Sequence, residues 1–221
     1  MKTIQLCMCL CAVFCVNSLF AQEELGDGLL FPQFESGIVT FKNGTRTQAS
    51  LNYNMLYQKM WFKDNENNIM EIANLPQVLM VTIGERRFFP VPTGAFYEQL
   101  PAGGDFFFVQ HLATMISQGK ASAYGGYSQT SAATSIGSLE SGTSGRVVLK
   151  ADEKFKQKRD FVYYLKSGNS YKRFTSAKAL GKLFKGQASK IEEFAKEQSI
   201  NFSKTEDVAK IVEYGFSLMN K

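Results

Sequence analysis

Beyond its first 21 residues the sequence has no cysteine, and the whole chain has one histidine and one tryptophan. The four cysteines are Cys7, Cys9, Cys11 and Cys15. Zinc sites are built from several Cys and His ligands, and residues 22–221 offer only His111, which excludes such a site there. The absence of cysteine from the same residues excludes thiol catalysis. We therefore expect no metal site, no cofactor and no disulfide.

The first 21 residues have the layout of a secretory signal peptide. Lys2 supplies the positive start, residues 4–16 are almost wholly apolar, and Ala21 precedes a charged segment. The apolar part is shorter than the about 20 residues that span a bilayer. We predict an exported protein, periplasmic or at the cell surface, that is not transmembrane after cleavage.

Charge is distributed unevenly along the chain. Residues 22–110 carry 10 acidic and 6 basic side chains, whereas residues 150–190 carry 12 basic and 3 acidic ones. Such a basic segment is either a solvated lysine-rich face or a binding site for an anionic surface. No nucleic-acid-binding motif accompanies it, and we expect no nucleic-acid partner. The candidate ligand-binding residues here are Lys154, Lys156, Lys158 and Arg159.

Residues 22–116 have the pattern of an antiparallel β-meander, either a sandwich or an open barrel. Asn43-Gly44 is a strong hairpin turn, because both residues tolerate positive φ. The strands that we predict are 37–41, 45–53, 59–63, 69–72, 78–83 and 87–91. Residues 105–116 are apolar on both faces and form either a strand or a buried helix. We favour a strand, because three consecutive phenylalanines lose rotamer freedom in a helix.

Residues 117–145 are predicted to be a flexible loop, since 16 of the 27 residues from 119 to 145 are Gly, Ser or Thr. Two aromatic residues in it, Tyr124 and Tyr127, are candidates for stacking on a sugar or peptide; the alternative is that they are incidental. A loop of this length is either functional or a boundary.

Residues 146–221 are predicted to return to strands, at 146–149, 160–165 and 171–174, and then to form two or three amphipathic helices packed on the sheet. The helix starts are predicted at Ser189 and Ser203, where capping-box patterns occur. The predicted class is α+β, with residues 146–221 in one domain with residues 22–116.

Catalytic motifs are scarce. His111 could serve a hydrolase only with a nucleophile that no motif supplies, so we interpret it as a core or rim residue with a hydrogen-bonded ring. Paired carboxylates remain open because they have no fixed sequence spacing. The candidate pair is Asp105 with Glu98 or Glu71.

Several segments together resemble exported proteins of Gram-negative bacteria that have no assigned activity. The segments are 37–44, 51–54, 163–165 and 194–214. The resemblance implies an envelope protein and assigns no catalytic residue. We therefore expect a non-enzymatic module that binds an envelope protein or a small ligand, with a carboxylate-dependent hydrolase of envelope polymers or glycans as the alternative.

Overall fold

The computed structural model describes the backbone of residues 28–121, 127–128, 135–136 and 153–219, and the side chains of residues 28–116 and 156–219. Twelve strands in these ranges form one antiparallel sheet. The strands are β1 (Glu35–Phe41), β2 (Arg46–Asn54), β3 (Lys59–Lys63), β4 (Ile69–Glu71), β5 (Val78–Ile83), β6 (Arg86–Pro90), β7 (Phe96–Gln99), β8 (Phe107–Ala121), β9 (Tyr127–Ser128), β10 (Ser135–Ile136), β11 (Glu153–Ser167) and β12 (Ser170–Phe174). Their order is β12-β11-β8-β7-β6-β5-β1-β2-β3-β4, and β9 and β10 also pair with β8.

The sheet curves so far that the end of β2 meets β8. The amide of Ala113 in β8 donates to the carbonyl of Met55, just past β2, at 3.1 Å. The concave face encloses a first group of buried apolar side chains, which we call the sheet core. It comprises Phe31, Val39, Leu51, Tyr53, Met55, Met60, Ile72, Val78, Val81, Ile83, Phe88, Phe96 and Ala113.

Three helices cover the other end of the same face. They are α1 (Ala177–Gly181), α2 (Ala188–Glu197) and α3 (Thr205–Met219). In α3 the buried positions recur at helical spacing, at Val208, Ile211, Val212 and Gly215. They pack on β8, β11 and β12 in what we call the helix core. Its buried members are Ala102, Phe107, Val109, Tyr163, Leu165, Phe174, Leu180, Phe184, Ile191, Val208, Ile211 and Val212.

The opposite, outer face carries a smaller aromatic cluster. Tyr97 of β7 stacks on Tyr164 of β11 with ring centroids 4.3 Å apart, and Tyr171 of β12 meets Tyr97 edge-on. Tyr164 also donates to Gln110 Oε1 of β8 at 2.9 Å. Burial raises the pKa of Tyr97. This cluster fixes β11 and β12 against the body of the sheet.

The predicted α+β class, an antiparallel sheet followed by C-terminal helices, is confirmed. The segment 105–116 is a strand from Phe107, preceded by a 3₁₀ turn at Gly104–Phe106. The strand continues to Ala121 and so enters the segment 117–145 that we predicted as loop. The predicted strand 146–149 lies outside the described residues.

Helices α2 and α3 begin one residue before Ser189 and two residues after Ser203, so both lie close to the predicted capping boxes. Helix α2 begins at Ala188, which packs against α1: a Cβ on Gly181 would lie 2.9 Å from the Ala188 Cα. Helix α3 begins at Thr205, after Ser203. Asp207 links the first turn of α3 to the preceding loop, because its Oδ2 accepts from the amide of Asn201 at 3.2 Å.

No helix in residues 28–121 and 153–219 is long and apolar enough to cross a membrane.

Candidate functional site

Three polar side chains meet on the concave face, where the sheet core adjoins the helix core. They are Arg86 of β6, Glu98 of β7 and His111 of β8, and we call them the buried polar cluster. Alternate residues share a face of a strand, so His111 lies between Val109 of the helix core and Ala113 of the sheet core. The cluster thus joins the two cores.

Arg86 and Glu98 form a two-pronged ion pair. Arg86 Nε donates to Glu98 Oε1 at 2.6 Å and Nη2 donates to Oε2 at 2.7 Å. The guanidinium also lies over the rings of Phe31 and Phe88, 4.9 and 5.5 Å from their centroids. The Glu98 side chain is only 6% exposed, whereas that of Arg86 is 34% exposed. Arg86 therefore covers the carboxylate on its solvent side.

His111 completes the cluster from β8. Its Nε2 lies 2.5 Å from Glu98 Oε2 and 3.2 Å from Arg86 Nη2. An ionised carboxylate can only accept hydrogen bonds, and a guanidinium can only donate them. The short contact to Glu98 therefore requires a hydrogen on Nε2, and the contact to Arg86 is not a second hydrogen bond. Nδ1 is buried and has no partner among the described residues.

The surroundings set the ionisation of Glu98. Burial by itself would raise the pKa of this carboxyl group, but the hydrogen bonds and charges of Arg86 and His111 outweigh it and hold the pKa below its usual value. Glu98 is therefore an ionised acceptor at neutral pH. A general acid of a glycosidase needs the opposite shift.

Among the described residues, no nucleophile joins the cluster. A carboxylate beside an imidazole can activate a nucleophile, but in the described ranges only Glu98 and Arg86 contact the nitrogens of His111. Two surface depressions of the described residues lie elsewhere. One is lined by Ser189, Glu192, Glu193, Lys196 and Glu197, and the other by Phe41, Lys42, Asn43, Pro76 and Gln77.

The other candidate carboxylates have separate partners. Asp105 Oδ1 accepts from Gln99 Nε2 at 2.9 Å, and Glu71 forms an ion pair with Lys59 at 2.9 Å. Neither shares a described hydrogen bond with Glu98. Asp105 is held by Gln99, which follows Glu98 in β7 and therefore faces the opposite side of the sheet.

Strand β11 presents the predicted basic residues at the surface. Lys156 and Lys158 lie on the outer face of the strand and Arg159 lies on the other face, since side chains alternate. All three are exposed. Asp160, the residue that follows Arg159, is acidic and also exposed. This arrangement is a basic surface that can meet anions from either side.

The remaining predicted binding residues are only partly described. Lys154 lies in β11 and Tyr127 in β9, but only their backbone is described, and Tyr124 lies outside the described residues. Among residues 28–116 and 156–219, no three His, Asp or Glu side chains come together to hold a metal ion.

The sequence did not predict the buried polar cluster. Arg86 and Glu98 are twelve residues apart, and β7, the strand that carries Glu98, was not predicted. The only available signal was His111 in an apolar run, which correctly indicated a buried, hydrogen-bonded ring. Comparisons of the chain with models of protein families, with curated proteins and with solved structures gave no match.

Proposed function

We propose that this chain is an exported, non-enzymatic binding protein of the bacterial envelope that holds an anionic partner on the basic surface of β11. The observation that carries this proposal is the exposure of Lys156, Lys158 and Arg159 on a strand fixed to the sheet by the outer aromatic cluster. The signal peptide predicted in residues 1–21 supports this proposal, because export would bring the protein to envelope proteins and anionic polymers.

The physical basis is electrostatic. Three exposed cations within four residues of one strand raise the local positive potential and attract anions over about a Debye length, roughly 8 Å at physiological ionic strength. Residues 150–190 supply further basic side chains nearby in sequence. Binding should therefore weaken as salt is added.

A carboxylate-dependent hydrolase remains the alternative function, and we place it second. Its acids would have to be Glu98 with Asp105 or Glu71, and the lowered pKa of Glu98 does not suit a general acid. The test incubates wild-type protein with muropeptide and glycan substrates in assays that detect a single turnover. If no hydrolysis product forms, this alternative is excluded.

Reversing the charge of the basic surface should abolish most of the binding. The variant Lys156→Glu, Lys158→Glu, Arg159→Glu is expected to bind labelled poly-glutamate about tenfold or more weakly than wild type, because each exposed attraction becomes a repulsion. The dissociation constant would be measured by fluorescence anisotropy at low and physiological salt.

The matched control reverses three other exposed lysines with the same change of net charge, at Lys178, Lys182 and Lys185 of the α1 region. Because distant exposed charges are screened, this control should change the affinity by less than about threefold. Equal losses in both variants would show that net charge, and not β11, governs binding.

Export has its own test. When the full chain is produced in a Gram-negative host, we expect the protein in the periplasmic or extracellular fraction to begin at Gln22, because the signal features end at Ala21. Intact-mass measurement of each fraction checks this. A chain that retains residues 1–21 in the cytoplasmic fraction would contradict the proposal.

A further inference from the structure

Part of one edge of strand β11 has no described strand beside it. On one side β8 pairs with it as far as Leu165, but on the other side β12 pairs only with residues 163–167. Residues 155–161 therefore lack a described neighbour on the β12 side. Residues 156 and 158–160 are exposed, which agrees with an open edge.

The odd-numbered residues direct their backbone groups to this edge. Ser167 and Ser170 close the two-residue turn between β11 and β12, and such closing residues bond across the hairpin. Backbone direction alternates along a strand, so residues 157, 159 and 161 point the same way as Ser167. The amide of Phe161 agrees with this: it donates to Asp160 Oδ1 at 2.9 Å instead of to β8.

We propose that an extended, acidic segment of a partner protein binds here by adding a strand beside residues 155–161. This inference rests on the proposed function and adds how the partner is held. Lys156 and Lys158 meet acidic side chains on the outer face of the added strand, and Arg159 adds to the positive potential of the edge from the other face. The backbone of the odd-numbered residues supplies the main-chain hydrogen bonds that strand addition requires.

Other occupants fit the edge less well. A second copy of β11 would bring lysine and arginine side chains opposite one another, and like charges across strands repel. An anionic membrane or glycan surface would match the charge but would leave the amides of Gln157 and Arg159 without strand partners.

The test removes an edge amide without changing charge. The amide of Gln157 points away from β8, so Gln157→Pro removes one donor from the open edge and no bond from the β8 ladder. The control Gln157→Ala keeps the amide and removes only the side chain. The probes are a labelled peptide in which glutamate alternates with threonine, a peptide of equal charge with proline in place of threonine, and vesicles of phosphatidylcholine and phosphatidylglycerol.

We expect Gln157→Pro to bind the alternating peptide about fivefold or more weakly than wild type, and Gln157→Ala to stay within about twofold. Wild type should also prefer the alternating peptide to the proline peptide, a comparison that does not depend on the variant's folding. Equal affinity for the two peptides, or equal losses in the two variants, overturns strand addition. If charge reversal still abolishes binding in that case, the proposed function stands. Binding to vesicles without binding to either peptide overturns strand addition in favour of a membrane surface.

Discussion

Replacing Glu98 with alanine is expected to lower the free energy of unfolding by about 3–5 kcal/mol. The substitution removes the acceptor of three contacts from Arg86 and His111. It leaves the partly exposed guanidinium of Arg86 and the buried imidazole of His111 without their acceptor where the sheet core adjoins the helix core, and breaking a largely buried pair by removing one partner is costly. Denaturant unfolding at neutral pH, followed by the fluorescence of Trp61, measures the loss.

The matched control is Glu71→Ala, which removes the acid of a half-exposed ion pair with Lys59. Such pairs contribute less than about 1 kcal/mol. If the two substitutions cost the same, the buried polar cluster does not hold the cores together.

The pH dependence of the free energy of unfolding is a second test of the role of Glu98. Because the folded-state pKa of Glu98 lies below the usual value of 4.5, its ionised form stabilises the native state above the unfolded-state pKa. That contribution is lost as the pH falls through the lower, folded-state pKa. Wild type should therefore lose more stability than Glu98→Gln between neutral pH and about pH 3. Parallel curves would contradict the assignment.

A side chain at Gly37 should be the other severe change. Gly37 lies in β1, which pairs with both β2 and β5. A Cβ there would lie 2.5 Å from the backbone oxygen of Thr82 and 2.8 Å from Leu51 Cδ1. A backbone atom cannot move aside without breaking the ladder, so we expect Gly37→Val to cost about 3 kcal/mol or more in denaturant unfolding.

Its control is the neighbouring residue, Ser36→Val. Ser36 is exposed on the opposite face of β1, and valine suits a strand. This change should stay within about 1 kcal/mol, allowing for the hydrogen bond that Ser36 Oγ accepts from Gln48. A tolerated Gly37→Val would contradict the register of β1 against β5.

Where local pattern and turn chemistry agreed, the sequence predicted strands closely. The bounds of 59–63 and 78–83 match β3 and β5. In the turn that follows β3, Asp64 Oδ1 accepts from the amides of Glu66 and Asn68. Turns of this kind depend on neighbouring residues alone, so sequence suffices.

Features that depend on distant contacts were missed. Strand β7 is only four residues long and ends in two buried polar residues, Glu98 and Gln99, so its local composition does not indicate a core strand. Glu98 is buried because Arg86 and His111 reach it from the neighbouring strands. The contact of α2 with α1 at Ala188 likewise depends on residues that are distant from the capping pattern at Ser189.

Hydrogen exchange of the full chain tests most directly whether β11 is the binding surface. We predict that adding the alternating acidic peptide slows exchange at the amides of residues 157, 159 and 161 and leaves residues 177–190 unchanged, although that segment is also basic. Protection confined to residues 177–190, or protection nowhere in the chain while the peptide is bound, would contradict the account.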